Sequence, residues 1–190
     1  VAGYSSDVSV LATRDTSESI AAPHITANLF TMLGARPSLG RTFTDAEGQS
    51  GGPLAVMLSN GLWRQNFHAD PGIVGQAVNI GGRPYTVVGV MPQGFRFPEE
   101  LDLQKGVWLA LQPTQAMLKD PGYNFLNVIG ELRPGISIAQ AQQELNAITE
   151  HIPLEKSDSP VSFRATSYQE VLTGPVRPVL YALFGALVLV

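Results

Sequence analysis

Three histidines, sixteen carboxylates and one strand-serine-helix junction are the groups from which this chain could assemble an active or metal site. His24, His68 and His151 stand apart, and none has a second histidine at the i,i+4 spacing with which a helix presents two ligands to zinc. They are expected to be surface or core residues. Ser59 follows the apolar run Leu54 to Leu58 and precedes a helical pattern, which is the setting of a nucleophile elbow. That motif needs glycine two residues before the serine, where Met57 stands; only Gly61 fits the second glycine position. Ser59 is therefore expected to be a helix N-cap.

No Gly-Lys-Ser or Gly-Lys-Thr sequence and no Gly-x-Gly-x-x-Gly is present to cradle a phosphate, which argues against nucleotide hydrolysis. The acids are scattered, so sequence pairing singles out no acid/base couple. The chain has no cysteine, which removes thiolate metal sites, disulfides and cysteine nucleophiles together. Trp63, Trp108, Phe95 and Phe97 could line a sugar or drug site, but residues of this kind more commonly fill cores. The expectation is no catalytic residue, no cofactor and no metal.

Length and composition point to a folded domain. The 190 residues suffice for one ordinary domain or two small lobes, and 44% hydrophobic with 15% charged residues is not a disordered composition. A net charge of -4 with scattered lysine and arginine speaks against a nucleic-acid partner. The chain begins at Val1 with no basic and apolar leader, and it reads as a piece of a longer protein. Val179 to Val190 carries no charged side chain, and Arg177 and Pro178 precede it. A bilayer requires about 20 such residues, so the run is too short to cross alone and suits either a buried core helix or the start of a transmembrane helix; the cation and prolines at its entry favour the second.

The elements that would position these residues centre on 76 to 98. Ala77 to Ile80 and Tyr85 to Val90 are β-prone runs, and Gly81-Gly82 between them can take the positive φ of a tight hairpin turn. Pro84 suits the beginning of the second strand and Met91-Pro92 its end. Upstream, Val8 to Ala12 and Ser19 to Ile25 are expected as two strands with a turn, followed by a helix capped by Thr26, carrying Leu29, Phe30 and Leu33 and stopped at Gly34. Thr44 and Glu47 have capping-box spacing within an irregular stretch. Leu54 to Leu58 is a buried strand, Ser59 caps a helix with Leu62, Trp63 and Phe67, and Asp70-Pro71-Gly72 is a turn. Gln93 to Gly106 is an acidic loop, with Val107 to Leu111 and Asn124 to Leu132 as strands. Ser137 to Ile152 is an amphipathic helix with a Ser137–Gln140 capping box, expected to pack across a sheet, and Val161 to Ser167 is a last strand-like stretch. These alternations give an α+β fold or an α/β sandwich.

In their order, these motifs resemble the periplasmic core domain of MacB-type ABC transporter permeases, the family of macrolide exporters and lipoprotein-releasing permeases. The resemblance is carried by Asn28 to Pro37 with Leu39 to Phe43, by Val56 to Trp63, by Gly75 to Phe97, and by Gly130 to Ser137. The helix from Ala139 to Ile148 and the apolar Leu180 to Val190 run complete it.

The resemblance implies a two-lobed periplasmic ectodomain, residues 1 to 175, with a βαβ-like porter lobe. A mainly β inserted lobe would take in about 70 to 120, and 176 to 190 would begin a transmembrane helix of an inner-membrane permease. It implies a mechanical role without catalysis, in which ATP-driven change is transmitted to substrate export. The implied partners are an ABC ATPase domain or subunit, a periplasmic adaptor with an outer-membrane channel, and a second ectodomain in a homodimer or pair. The Gln93 to Gly106 loop reads first as a plain solvated loop, and beside the hairpin strands it is the better place to look for partner contact. The alternatives are a membrane-anchored periplasmic enzyme and a sensory or adhesive ectodomain.

Overall fold

A computed structural model of the chain describes residues 1–13, 16–119, 126–150 and 163–169. The chain divides into two compact units, Val1–Glu131 and Leu132–Val190. The first is built on one mixed sheet. Its strands are β1 (Ala2–Tyr4), β2 (Val8–Ala12), β3 (Ser17–Ala21), β4 (His24–Ile25), β5 (Leu39–Gly40), β6 (Ala55–Leu58), β7 (Ala77–Ile80), β8 (Arg83–Val90), β9 (Val107–Ala110) and β10 (Asn127–Ile129). They lie in the order β10-β1-β4-β9-β6-β8-β7-β2-β3, with β5 paired to β8. Its described residues include three α-helices, α1 (Leu29–Met32), α2 (Asn60–Asn66) and α3 (Gln115–Lys119).

The hairpin forms as its sequence dictates. β7 and β8 pair antiparallel from Ala77 opposite Thr86 to Ile80 opposite Arg83, with Pro84 near the start of its strand facing Asn79. Gly81 and Gly82 have φ of 59° and 79°, the left-handed pair that a type I′ turn requires and that costs other residues more. β8 then runs parallel to β6, and α2 lies in sequence between those two strands, so the unit holds the βαβ-like arrangement expected of it. β4 and β9 form a second parallel pair. Strands β7, β8 and β9, from the segment that the resemblance assigns to an inserted lobe, hydrogen-bond into the same sheet as β1 to β4 and β6.

One expectation is corrected at the N-terminal ribbon. Ser19 to Ile25 is not a single strand: β3 ends at Ala21 and β4 begins at His24. Ala22 and Pro23 form the bend, and proline has no amide with which to continue a ladder. The consequence is large, because β3 stands at one end of the strand order and β4 near the other. Two residues join them, so the sheet curls back upon itself. The opposing strand bends at the same level, between β1 and β2.

This curl gives the central strands two buried faces. Val56, Leu58, Val87, Val107 and Leu109 point into one cluster with Leu11, Ile20, Val78, Ile80 and Tyr85, onto which α2 brings Leu62 and Trp63. Ala55, Met57, Val88, Trp108 and Ala110 face a second cluster with Leu29 and Phe30 of α1 and with Phe43, Phe97 and Leu103 from loops. All four residues of β6 and of β9 are buried, which is why those segments are continuous apolar runs rather than alternating ones.

Helix α1 begins later than expected. Its N-cap is Asn28, without a side-chain cap, whereas the Thr26 hydroxyl accepts from the Gly3 amide at 3.1 Å. The helix still ends at Gly34, which has φ of 63°. In the second unit, α4 (Ile138–Glu150) carries the expected capping box: Ser137 N donates to Gln140 Oε1 at 2.8 Å and Gln140 N to Ser137 Oγ at 3.2 Å. Gln142 of α4 donates to the Phe163 carbonyl and accepts from the Ala165 amide. Among the described residues no helix is long and apolar enough to cross a membrane; the apolar run 179–190 lies outside them.

Candidate contact surface

The bend of the ribbon brings together a serine, an aspartate and a histidine. Ser5 Oγ donates to Asp7 Oδ2, and the same carboxylate oxygen lies 3.1 Å from His24 Nδ1. The composition is that of a hydrolase triad but the order is not. A nucleophilic serine must give its proton to the imidazole, with the carboxylate on the far side of the ring. Here the carboxylate lies between the other two, and the hydrogen bonds between Ser5 and His24 run through the His24 main chain, its amide donating to Ser5 Oγ at 2.9 Å. Ser5 is also buried. The cluster holds a corner: the Ser5 amide donates to the His24 carbonyl and the Ala22 amide to the Asp7 carbonyl, which crosses the two bends to each other.

The other polar groups also do structural work. Glu47 is buried and takes both Arg41 guanidinium nitrogens, at 2.7 and 2.9 Å, while accepting from the Thr44 amide at 2.7 Å. Burial alone pushes its carboxyl up, but the Arg41 guanidinium and the Thr44 amide and hydroxyl outweigh that and hold it below the usual carboxylate range. The same hydrogen bond raises Arg41. Gln112 Nε2 donates to the carbonyls of Glu47, Gly52 and Pro53, tying the end of β9 to this loop. Among the described residues no three histidine, cysteine or acidic side chains could hold a metal ion. His68 has φ of 53° in the turn after α2, and His151 lies outside the described residues.

The loop from Gln93 to Gly106 is fixed at both ends. At its start, Trp108 is fully buried and donates Nε1–H to the Phe97 carbonyl at 2.6 Å, with its ring 5.5 Å from Phe95 and 5.8 Å from Phe30. These aromatic residues are core, not the lining of a drug site. At its end, Ser59 caps α2 by accepting from the Leu62 amide, and its hydroxyl also donates to the Gln104 carbonyl at 3.0 Å and accepts from the Gly106 amide at 3.2 Å. Gly61 makes room for this contact, since a Cβ there would meet Gln104 O at 2.0 Å. Between the two anchors Glu99, Glu100 and Asp102 are exposed. The result is a braced loop with an acidic crest.

The pattern of the MacB-like periplasmic core domain matches residues 1–148. The chain belongs to that family, the periplasmic core domains of ABC transporter permeases. Two solved structures give the same fold. The periplasmic region of MacB from Actinobacillus actinomycetemcomitans aligns with a TM-score of 0.56 at 15% identity, over 78% of this chain and 65% of that one. A domain assigned to a permease from Porphyromonas gingivalis aligns at 0.51 and 15%, over 90% and 81%. The extracellular domain of the noncanonic ABC-type transporter YknZ from Gram-positive bacteria aligns at 0.42 and 17%, over 57% and 53%. The chain thus spans 53% of the YknZ domain and 65% of the MacB region. No curated protein matches it.

For a MacB-like core domain, a non-catalytic domain on the extracytoplasmic side of a membrane protein, the corner and the braced loop have a consistent reading. Each polar cluster joins segments distant in sequence: Ser5 to His24, the Glu47 carbonyl to Gln112, and Ser59 to Gln104. Sequence reasoning found Ser59 and Glu47 through their caps. It missed the corner, whose partners sit on opposite strands of a bent ribbon with no local signal beyond Pro23.

Proposed function

We propose that the chain is the extracytoplasmic part of an ABC-type export permease, coupling ATP-driven movement to export and meeting a periplasmic partner through the 93–106 loop. Residues 1–175 make up the ectodomain and 176–190 begin the membrane helix that links it to the transport machinery. Two such ectodomains work as a pair, the ATPase acts through the membrane part, and an adaptor with an outer-membrane channel receives the substrate. The permease sits in the inner membrane. The observation that supports this most is the family match over residues 1–148, together with the hydrogen bonds that tie the loop at both ends.

A part that transmits force must not yield where it is pushed. Ser59 and Trp108 anchor the loop to α2 and to the core, so displacement of the acidic crest moves the sheet as a body. Glu99, Glu100 and Asp102 make no described contact within the fold that would explain their clustering, save that Asp102 caps the turn at Leu103–Lys105. The test is export by the intact permease in cells carrying Glu99→Ala, Glu100→Ala and Asp102→Asn together. Reduced export at unchanged protein level is expected; unimpaired export would refute contact through this loop.

A further inference from the structure

The curled sheet leaves an opening at its rim, a cavity of about 520 Å³ open to solvent. Its floor is apolar, with Ile80 and Tyr85 from the β7–β8 hairpin, Leu54 just before β6, Leu109 of β9 and Leu111 just after it. Asp7 and His24 of the corner stand on one side and Arg83, at the hairpin turn, also lines it. We propose that this opening binds a small amphipathic molecule with an alkyl body and one terminal carboxylate.

The volume falls in the range of small-molecule sites, about 300 to 1,000 Å³, and Ser9, Gln112 and Thr114 add polar groups beside the apolar floor. The charge of the lining selects the head group. Asp7 is already engaged by the Ser5 hydroxyl and the His24 ring. Arg83 has no ion-pair partner among the described residues, so its guanidinium is a cation in the lining that no protein carboxylate meets. A carboxylate is the ligand group whose planar pair of oxygens matches that fork. A cationic head would meet Arg83 with like charge, and a short acid would leave the floor uncovered. The site stands apart from the 93–106 loop, and its test does not depend on export.

The test is a titration of the isotope-labelled chain with octanoate, octylammonium and propionate, followed by amide chemical shifts. Octanoate is expected to give saturable shifts at Gly81, His24, Leu111 and Gln112, with octylammonium and propionate far weaker. Arg83→Gln, an exposed change, is expected to weaken octanoate by about fivefold, the upper range for an exposed ion pair, and Arg83→Lys, which keeps the charge but not the fork, to fall between Arg83→Gln and the parent. Equal binding of octylammonium, unchanged affinity in Arg83→Gln, or no saturable shift at those amides would overturn the proposal. Should Arg83→Gln fold poorly, the comparison of octanoate with octylammonium on the unaltered chain still decides it.

Discussion

Ser59 Oγ donates to the Gln104 carbonyl at 3.0 Å across 45 positions of sequence, and the same oxygen accepts from the Gly106 amide at 3.2 Å. One buried hydroxyl therefore starts α2 and ends the acidic loop. Removing it leaves two helix and loop amides and a carbonyl without that partner in a site closed to water. Ser59→Ala is expected to cost about 2 to 3 kcal/mol, more than an ordinary cap, because buried groups are left unsatisfied. Urea denaturation measures the loss, and amide exchange should quicken at Gln104 and Gly106 before it does in β6.

Gly61 gives a prediction whose sign is opposite to helix propensity. In an open helix, glycine to alanine stabilises by about 1 kcal/mol. In α2 the new methyl would meet Gln104 O at 2.0 Å, a backbone atom that can move only if the loop moves. Overpacking of this kind costs about 1 to 3 kcal/mol, so Gly61→Ala is expected to destabilise the protein by thermal or urea unfolding. A stabilised variant would mean that the loop is free to shift.

The Arg41–Glu47 pair predicts a dependence on pH. Glu47 is held below its usual range, so its contribution is complete above the unfolded carboxylate pKa of about 4.3 and is lost as pH falls through the lower folded value. Glu47→Gln should therefore be less stable than the parent at neutral pH, by about 1 kcal/mol since Arg41 is half exposed, and the two should converge in acid. Unfolding free energies of both proteins between neutral pH and the acid limit check this. A gap that widened in acid would contradict it.

What sequence revealed was whatever rests on neighbours in the chain. The Gly81-Gly82 turn, the Thr44–Glu47 and Ser137–Gln140 boxes and the Ser59 cap each require only residues a few positions apart, and each stands where expected. Non-local partners were invisible. Thr26 has the chemistry of a cap, but Gly3 claims its hydroxyl from another strand. β5 has no β-prone run at all: Gly40 sits against Gly89 so closely that a Cβ on it would meet Val88 O at 2.3 Å, and the pairing exists because both residues lack side chains. The bend at Pro23 was invisible too, with Ser19 to Ile25 expected as one strand, because the curl of the sheet there depends on β4 meeting β9.

The corner at Ser5, Asp7 and His24 supplies the last prediction, which separates a structural cluster from a catalytic one. Ser5 donates a hydrogen bond to Asp7 and accepts one from the His24 amide, so its oxygen is engaged twice and has no imidazole nitrogen bonded to it to act as base. Buried as it is, Ser5 should not react with a fluorophosphonate probe under native conditions, as followed by intact-mass measurement. Ser5→Ala should instead show its effect in stability, about 1 to 3 kcal/mol by urea denaturation, through the loss of the acceptor that holds the two bends of the ribbon together. Labelling of Ser5 in the folded protein, abolished in His24→Gln, would overturn the structural reading and restore that of a hydrolase.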